Sequence, residues 1–343
     1  MKRKGSMLLS LVTAFVLLMV FASPAFCGGE SEEGAVQESA VAGKEALPDV
    51  KLTFAAPHTP PQTYAVVDVA FIDHIKEVSD GKITLEYYPG GTLIGGNEAA
   101  SELKAGTADF GWPRVGYTRH GYKLYNANLI WMYNLDPVTD IEAELEIYKK
   151  LYEKEEMYSE FDGIVPYGAN ASGTSAWLFT NYPIKSLADV KGKTIRANAS
   201  WAKVITKLGG VPVNMPFSEL YMALEKGTVD GVIGLPGTVI KGENLGDVIE
   251  YAMDIKMNQT PYYAWAFNER SWNKMPEAAR EIFKTEELWL EDRVIEQLQN
   301  EEKPSIEYGK SLGIQFVDIS EQDRNMLFVI MDEVCREACK ALD

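Results

Sequence analysis

Arg196 is the residue of this chain best suited to hold an anion. It ends the short stretch Thr194-Ile195-Arg196, which predicts a β-strand followed by a helix. The planar guanidinium matches a carboxylate with two parallel hydrogen bonds, and unlike a lysine ammonium it stays charged when partly desolvated. A strand end of this kind can hold a guanidinium still at the edge of a cleft. The sequence therefore predicts a carboxylate-binding site at Arg196.

No residue pattern of this chain indicates catalysis. The sequence contains no Gly-x-Ser-x-Gly, no His-Glu-x-x-His, no phosphate-binding loop and no Cys-x-x-Cys. Its three histidines are not accompanied by a cysteine cluster, so no transition-metal site is indicated. A pair of carboxylates can always be found among 50 acidic residues and proves nothing. We therefore expect no catalytic residues, no metal and no cofactor.

The N-terminus has the organisation of an export signal. Residues 2–4 are basic, residues 7–22 form an apolar run of 16 residues, and residues 23–25 are compatible with a cleavage site. The apolar run is short for a membrane-spanning helix, which needs about 20 residues. We interpret residues 1–27 as a signal peptide for export to the periplasm; a retained membrane anchor is the alternative.

Cys27 leaves the processing of this signal open. A lipid-modified cysteine normally follows a small residue, whereas Phe26 precedes this one. Residues 28–48 contain no aromatic residue and predict a flexible tether, which suits a lipid-anchored protein and a soluble one alike. We favour the soluble periplasmic form, with lipid anchoring through Cys27 as the alternative.

The net charge argues against two classes of partner. The whole chain carries a formal net charge of −17, and removal of the three basic residues at positions 2–4 takes it to −20. Such a charge argues against nucleic acid and against anionic membrane surfaces. An anionic ligand is still compatible, because screening over about 8 Å leaves local arginines to set the potential of a pocket.

Strand-like and helix-like segments alternate along the chain, which predicts an α/β fold. Residues 50–56 predict a buried strand, residues 65–79 have apolar residues at helical spacing, and residues 82–88 alternate between apolar and polar. Residues 273–303 predict a long amphipathic helix that Pro304 interrupts. About 295 residues follow the tether, which is enough for two lobes.

Two of the cysteines, Cys335 and Cys339, lie four residues apart on a predicted helix. No metal-binding pattern accompanies them. Simple packing of the two side chains and a disulfide formed in an oxidising compartment are both open.

A seven-residue pattern occurs twice in the chain. Residues 103–109 and residues 224–230 both read Leu-x-x-Gly-Thr-x-Asp. In both copies the glycine can take the left-handed conformation that ends a helix, and an apolar strand follows. Two α/β lobes that use the same helix-to-strand joint explain the repeat, and they predict a cleft between the lobes.

Several of these stretches together resemble the solute-binding proteins of TRAP (tripartite ATP-independent periplasmic) transporters, the C4-dicarboxylate-binding-like family. The resemblance covers roughly residues 50–340. It is carried by Pro-Gly-Gly at 89–91, Asp-Phe-Gly at 109–111, Pro-Ile-Lys-Ser-Leu-Ala-Asp-Val at 183–190, and the stretch 191–231 around Arg196. It implies a two-lobed type II periplasmic-binding-protein fold, of α/β class, with a central cleft and a long helix that spans both lobes.

The resemblance also implies how the chain divides between the lobes, with strands that cross from one to the other. Lobe one would comprise residues 50–173 plus 262–301. Lobe two would comprise residues 174–261 plus 302–343.

The resemblance assigns Arg196 the role of clamping the carboxylate of an organic acid. Phe217 matches a position where the family packs an aromatic ring on the ligand, and Glu98 matches one close to the ligand. A core contact and a charge at a helix start are the alternatives for these two residues. With further candidates near the predicted cleft, the predicted ligand-binding residues are Arg196, Phe217, Glu98, Trp112, Tyr117, Arg114, His58, Trp177, Asn198, Gly234 and Leu235.

Two departures from the family pattern bear on the ligand. Many members have a second arginine where this chain has Ala176 and Trp177. Many also have an asparagine that helps hold the carboxylate at about Gly234, which Leu235 follows here. Arg114 is a candidate replacement for the missing cation. Apolar surface in place of two polar contacts predicts a monocarboxylate with an apolar or aromatic body rather than a dicarboxylate.

The combined prediction is an extracytoplasmic solute-binding protein that captures an organic acid through an arginine–carboxylate pair and closure of two lobes. Its partners would be the small-molecule acid and the integral membrane subunits of a TRAP transporter, and not nucleic acid. The binding protein of an ATP-driven importer and a ligand sensor are the alternatives, because both would share the fold and the cleft. A periplasmic enzyme is the least favoured reading.

Overall fold

The structure, a computed structural model, describes residues 47–117, 121–125, 141–170, 174–258 and 262–340. The predicted signal peptide and all but the end of the predicted tether lie outside these ranges. Within the described ranges, no helix combines the length and the apolar character that a membrane crossing needs.

Strands and helices alternate along most of the described chain, as the sequence predicts. The strands are β1 (Val50–Ala55), β2 (Ile83–Tyr88), β3 (Phe110–Gly111), β4 (Ile164–Asn170), β5 (Ser175–Thr180), β6 (Thr194–Arg196), β7 (Val211–Val213), β8 (Gly231–Leu235), β9 (Tyr251–Asn258), β10 (Tyr262–Asn268) and β11 (Gln315–Asp318). The α-helices are α1 (Thr63–Val78), α2 (Ala99–Ala105), α3 (Ile141–Tyr152), α4 (Glu155–Tyr158), α5 (Ala199–Lys207), α6 (Leu220–Glu225), α7 (Val239–Gly242), α8 (Glu269–Lys274), α9 (Glu277–Ser311) and α10 (Glu321–Lys340).

The first sheet has five strands in the order β2-β1-β3-β10-β4. Strands β1, β2 and β3 are parallel, whereas β10 runs antiparallel to both β3 and β4. Helices α1 and α9 pack on this sheet, and Phe71 and Phe283 of these helices share a core with Phe54, Phe110 and Trp265 of the strands. Full burial of each such side chain stabilises the fold by on the order of 2 kcal/mol.

The second sheet has six strands in the order β11-β9-β5-β8-β6-β7. Its strand β6 is parallel to both neighbours, β7 and β8, whereas β5 runs antiparallel to β8 and β9. The two faces of the sheet have separate cores: Leu178 of β5 packs into one and Phe179 into the other. This is the alternation expected of a strand buried on both faces.

The chain passes between the two sheets three times, from β4 to β5, from β9 back to β10, and from β10 through α9 to β11. The predicted α/β class and two-lobed architecture are confirmed by this arrangement and by the structural relatives described below. The predicted lobe limits at 173/174 and 261/262 fall beside residues outside the described ranges, and they stay a prediction.

The predicted long helix is present as α9, and it packs against both sheets. Leu290 and Val294 lie in the core of the first sheet, and Ile306 packs against a core of the second. One continuous element therefore connects the two halves of the molecule, as the family resemblance implies.

Pro304 does not interrupt this helix, contrary to the prediction from the sequence. A proline inside a helix removes a backbone hydrogen bond and costs about 3 kcal/mol. Contacts on both sides of it offset that cost. The Glu302 carboxylate accepts from the N–H groups of Gly237 and Thr238 at 3.2 and 3.0 Å. The Ser305 hydroxyl lies 2.8 and 3.0 Å from the carbonyl oxygens of the same two residues.

The two copies of the seven-residue pattern form equivalent joints. Gly106 of the first copy caps the end of α2 with a φ of +89°. Gly227 of the second copy directly follows the residue that caps α6, and its φ is +65°. The aspartate of each copy then binds the backbone of a parallel strand. Asp109 accepts from the N–H of Thr53 at 2.8 Å, and Asp230 accepts from the N–H of Thr194 at 2.7 Å. One local solution therefore positions a strand in each sheet.

Cys335 and Cys339 are both free thiols on α10. Cys335 packs against a core of the second sheet, whereas Cys339 is exposed. The sequence left packing and a disulfide open, and in the structure Cys335 packs against the core without a bond to Cys339.

Candidate functional site

A cavity of about 160 Å³ lies where strand ends of the two sheets meet. A water needs about 10–15 Å³ of such space, so the cavity has room for on the order of ten waters or a ligand of similar size. From the side of the first sheet its lining includes His58, Thr63, Tyr64, Trp112, Arg114 and Asn170. From the side of the second sheet it includes Arg196, Asn198, Phe217, Gly234, Leu235 and Glu243.

Arg196 is held in the cavity wall by the pairing of β6. It lies opposite Val213 of β7 and Val232 of β8, and only 1% of it is exposed. Its Nη2 donates to the carbonyl oxygen of Met215 at 3.4 Å, and the guanidinium carbon lies 6.0 Å from the ring centre of Phe217. Because arginine stays protonated even when buried, this strand end presents a permanent positive charge to the cavity.

Gly234 lines the cavity where the family resemblance leads us to expect a polar side chain. Its φ of +83° is one that glycine adopts without strain. A Cβ at this position would lie 2.4 Å from Nε1 of Trp201, whose ring is fully buried. The backbone N–H of Trp201 donates to the side-chain oxygen of Asn198 at 3.0 Å, which ties the same residue to a second lining residue. The indole occupies the space that a side chain at 234 would need, so the cavity meets bare backbone there.

Aromatic rings form a cluster in the lining. The ring centre of His58 lies 5.2 Å from that of Tyr64, 5.1 Å from Trp112 and 6.3 Å from Phe217. Burial, with the charge of Arg114 nearby, lowers the pKa of His58 to about 3, so its imidazole is neutral near pH 7. This cluster therefore offers apolar faces and a neutral ring rather than a further cation.

Asp68 holds the Trp112 ring from outside the cavity. Its fully buried carboxylate accepts from the indole N–H groups of Trp112 at 3.2 Å and Trp265 at 2.8 Å, and from the Tyr87 hydroxyl at 3.1 Å. Burial raises the pKa of Asp68 to about 7, although these three hydrogen bonds act in the opposite direction. Asp68 is thus a positioning residue for one ring of the cavity wall.

Two further charged residues line the cavity. Arg114 follows β3 and has a left-handed backbone conformation, with φ at +49°. Glu243 follows α7, and its carboxylate accepts a hydrogen bond from the side chain of Gln62. Burial raises the pKa of Glu243 to about 7, and the nearby charge of Glu301 adds to this shift. The cavity therefore combines groups that attract an anion with one strong hydrogen-bond acceptor.

Most of the predicted ligand-binding residues are brought together here. The predicted residues that line the cavity are Arg196, Phe217, Trp112, Arg114, His58, Asn198, Gly234 and Leu235. Tyr117 ends the short turn Val115–Tyr117, and its side chain lies outside the described part of the structure. Contact of any of these residues with a ligand stays a prediction.

Glu98 and Trp177 do not line the cavity. Glu98 is exposed and accepts from the Ser101 hydroxyl at 3.1 Å, which is the alternative of a charge at a helix start. The indole N–H of Trp177 donates to Glu302 at 3.2 Å, and its ring lies in one core of the second sheet while Ala176 lies in the other. Of the two departures from the family pattern, only the one at Gly234 therefore changes the lining.

Several polar lining residues were missed by the reasoning from sequence, among them Tyr64, Asn170 and Glu243. Asn170 ends β4 directly before the predicted crossing between lobes, and that position was a usable signal for a cleft residue. Glu243 follows a short helix in a stretch without a recognisable pattern, so nothing in the sequence indicated it.

The protein has two sheets covered by helices, and segments of the chain pass from one sheet to the other. With a buried arginine in the cavity between the sheets, this is the arrangement of two-lobed solute-binding proteins. The sequence profile of the family described as bacterial extracellular solute-binding protein, family 7, matches residues 53–341, and the chain belongs to this family. A similar protein is the monocarboxylate 2-oxoacid-binding periplasmic protein of a Nostoc species, 23% identical over 228 residues. The match covers 62% of this chain and only 58% of that relative.

Solved structures of TRAP periplasmic solute-binding proteins have the same fold. One from Desulfovibrio salexigens, with bound orotic acid, has a TM-score of 0.70 and 20% identity over 84% of this chain and 92% of that one. One from a marine metagenome, in complex with pyroglutamate, has a TM-score of 0.74 and 16% identity over 86% of this chain and 95% of that one. At these identities the likeness concerns the fold.

The chain is accordingly a bacterial extracellular solute-binding protein of family 7, and its fold is that of TRAP periplasmic solute-binding proteins. The family and its structural relatives are transport proteins rather than enzymes. An extracytoplasmic location follows from the family description.

Proposed function

We propose that the protein captures a monocarboxylic acid with an apolar or aromatic body in the periplasm and delivers it to the membrane subunits of a TRAP transporter. The observation that carries this proposal is the position of Arg196, which is buried at a strand end in a cavity lined by a cluster of rings. The guanidinium suits the carboxylate of such an acid, and the rings suit its body.

Capture and closure are coupled in this proposal. The acid enters the open cleft, its carboxylate pairs with Arg196, and the two lobes close around it. Closure excludes water, which lowers the local dielectric and strengthens the ion pair. The closed form is then the conformation that the membrane subunits recognise.

The ligand class follows from what the cavity offers. The related proteins are named for monocarboxylate 2-oxoacids, orotic acid and pyroglutamate, which all carry one carboxyl group on a small body. In this chain Gly234 supplies no polar side chain and His58 is neutral, so Arg114 is the remaining lining cation besides Arg196 in the described part of the structure. A clear preference for diacids would show that Arg114 takes a second carboxylate.

A thermal-shift screen of carboxylic acids, followed by calorimetry with the best one, tests the carboxylate site. Arg196→Ala should weaken binding by on the order of a hundredfold or more, because removing one partner of a buried ion pair costs about 3–5 kcal/mol. The affinity of Arg196→Lys should lie between those of the wild type and Arg196→Ala, since lysine keeps the charge but loses the planar guanidinium. The control is Arg336→Ala, which removes an equal charge from a side chain that is 73% exposed. Near-native affinity in Arg196→Ala would show that the assignment is wrong.

A further inference from the structure

Glu243 is the one carboxylate among the described residues that line the cavity. It follows α7, in the same half of the molecule as Arg196, and it is partly buried. Its presence calls for a reason, because two carboxylates repel each other strongly in a site from which water is excluded.

Gln62 holds Glu243 from the other half of the molecule. Gln62 precedes α1, between two strands of the first sheet, whereas Glu243 lies between two strands of the second. The backbone N–H of Thr59 donates to Oε1 of Gln62 at 2.5 Å, which sets the orientation of the amide. Its Nε2 therefore faces Glu243 and donates to Oε2.

The two halves are in close contact beside this hydrogen bond. A Cβ on Gly242 would lie 2.8 Å from the hydroxyl of Thr63, so the residue next to Glu243 has to be small. The same hydroxyl donates to Glu301 of α9 at 2.6 Å. Glu243 is therefore held at a defined place in the lining by contacts on both sides of the cleft.

Among the residues that the structure describes, none donates a hydrogen bond to Oε1 of Glu243. Within the described part of the chain, Gln62 is the one group that donates to this carboxylate, and it occupies Oε2. No lysine or arginine there forms an ion pair with Glu243, and the neighbouring charge is that of Glu301, which has the same sign. Because Glu243 lines the cavity, Oε1 is the oxygen that we assign to accept from a bound ligand.

We propose that Glu243 selects the ligand by the group that the ligand carries away from its carboxylate. Oε1 accepts a hydrogen bond from an N–H or O–H of the ligand, and the same oxygen repels a second carboxylate. This inference rests on the carboxylate site at Arg196. It narrows the ligand class to a monocarboxylic acid whose body carries a hydrogen-bond donor, such as an amide, a lactam or a hydroxyl.

The selectivity arises because closure of the cleft removes water from Oε1 of Glu243. A ligand with a donor replaces the water that Oε1 loses, whereas a ligand without one leaves a charged acceptor unpaired. Sites built to hydrogen-bond a ligand group reject analogues that lack it for this reason.

Three acids of nearly the same size and shape test the inference: succinamate, levulinate and succinate. Their far ends are an amide with two N–H donors, a methyl ketone without a donor, and a second carboxylate. By competition calorimetry at about pH 8.5, where Glu243 is ionised despite the rise of its pKa to about 7, the wild type should bind succinamate at least about tenfold more tightly than either of the others. Glu243→Gln should reduce the preference for succinamate over succinate to about threefold or less, because an amide does not repel succinate.

The matched control is Glu250→Gln, which removes an exposed carboxylate outside the cavity lining and should keep the wild-type preference. The inference is overturned if Glu243→Gln keeps the full preference. It is also overturned if the wild type does not favour succinamate, including the case in which none of the three acids binds.

Arg196→Ala, measured with the same acids, separates the two proposals. If it loses binding while Glu243→Gln keeps the preference, only the role of Glu243 is wrong. If it binds as the wild type does, the carboxylate site itself is wrong.

Discussion

Arg196 and Glu243 bring opposite charges to one small cavity, and each is held by a different device. Arg196 is held by strand pairing on both sides of β6, whereas Glu243 is held by Gln62 across the cleft. A molecule that satisfies both groups has only one orientation available. The ring cluster then discriminates by shape, because it adds apolar area without adding a charge. At the scale of residues, specificity is therefore expected from the pair of charges and not from Arg196 alone.

The contact between Gly234 and Trp201 gives a prediction about stability. Gly234→Ala should lower the free energy of unfolding, because alanine is strained at a φ of +83° and its Cβ would meet the buried indole. The control is Gly81→Ala, where φ is +76° but nothing lies within 4 Å of a Cβ. In urea unfolding, Gly234→Ala should lose at least about 1 kcal/mol more than Gly81→Ala. Equal losses would show that the indole can move aside.

Asp68 gives a prediction about pH. Its pKa rises from a usual value of 3.8 to about 7 on folding, so between these values the folded state holds a proton that the unfolded state has lost. The stability of the wild type should therefore fall as pH rises from about 4 to about 7, by up to about 4 kcal/mol from this group. Asp68→Asn cannot titrate and should lack this component. Unfolding in urea between pH 4.5 and 7.5 measures the difference, and parallel curves for the two proteins would contradict the assignment.

At the scale of elements, the repeated joint is what carries β6 and its arginine. Asp230 accepts from the N–H of Thr194 at 2.7 Å, and its own N–H donates to the carbonyl of Thr194 at 2.7 Å. Thr194 begins the strand that ends at Arg196, so this two-way bond fixes the strand at its start. In the first sheet, the equivalent bond is the one that the N–H of Thr53, in β1, donates to Asp109.

Asp230→Ala should therefore destabilise the protein by about 1–3 kcal/mol, because the N–H of Thr194 would lose its acceptor. Asp230→Asn retains an oxygen at the same place and should recover most of this loss. Thermal unfolding of the three proteins measures both effects. If alanine and asparagine were equally destabilising, the hydrogen bond to Thr194 would not be the cause.

The sequence predicted individual helices and strands better than it predicted the site. Pro304 is an exception, because the helix around it continues where the sequence predicted an interruption. Apolar spacing indicated β1, α1 and β2, and the repeated pattern indicated both joints, since all of these depend on residues close together in the chain. The continuity of α9 depends instead on bonds from Glu302 and Ser305 to a loop about 65 residues earlier. A pattern within one segment cannot contain that information.

At the scale of the whole molecule, the cavity brings together groups far apart in the chain. His58 and Phe217 are in ring contact although 159 residues separate them, and the family resemblance was what associated both with a cleft. Trp177 was associated with the site by the same reasoning, yet the alternation of β5 directs it into a core. Glu243 was not anticipated, because its place depends on Gln62 in the other half of the molecule.

A crystal structure of the protein with the best acid from the screen would show whether a carboxylate binds Arg196 inside this cavity. We expect a carboxylate with its oxygens about 2.7–2.9 Å from the guanidinium nitrogens of Arg196. We expect the rest of the ligand among the rings of His58, Trp112 and Phe217. If the carboxylate lies on Arg114 or outside the cavity, and Arg196 makes no contact to it, Arg196 is not the carboxylate-binding residue.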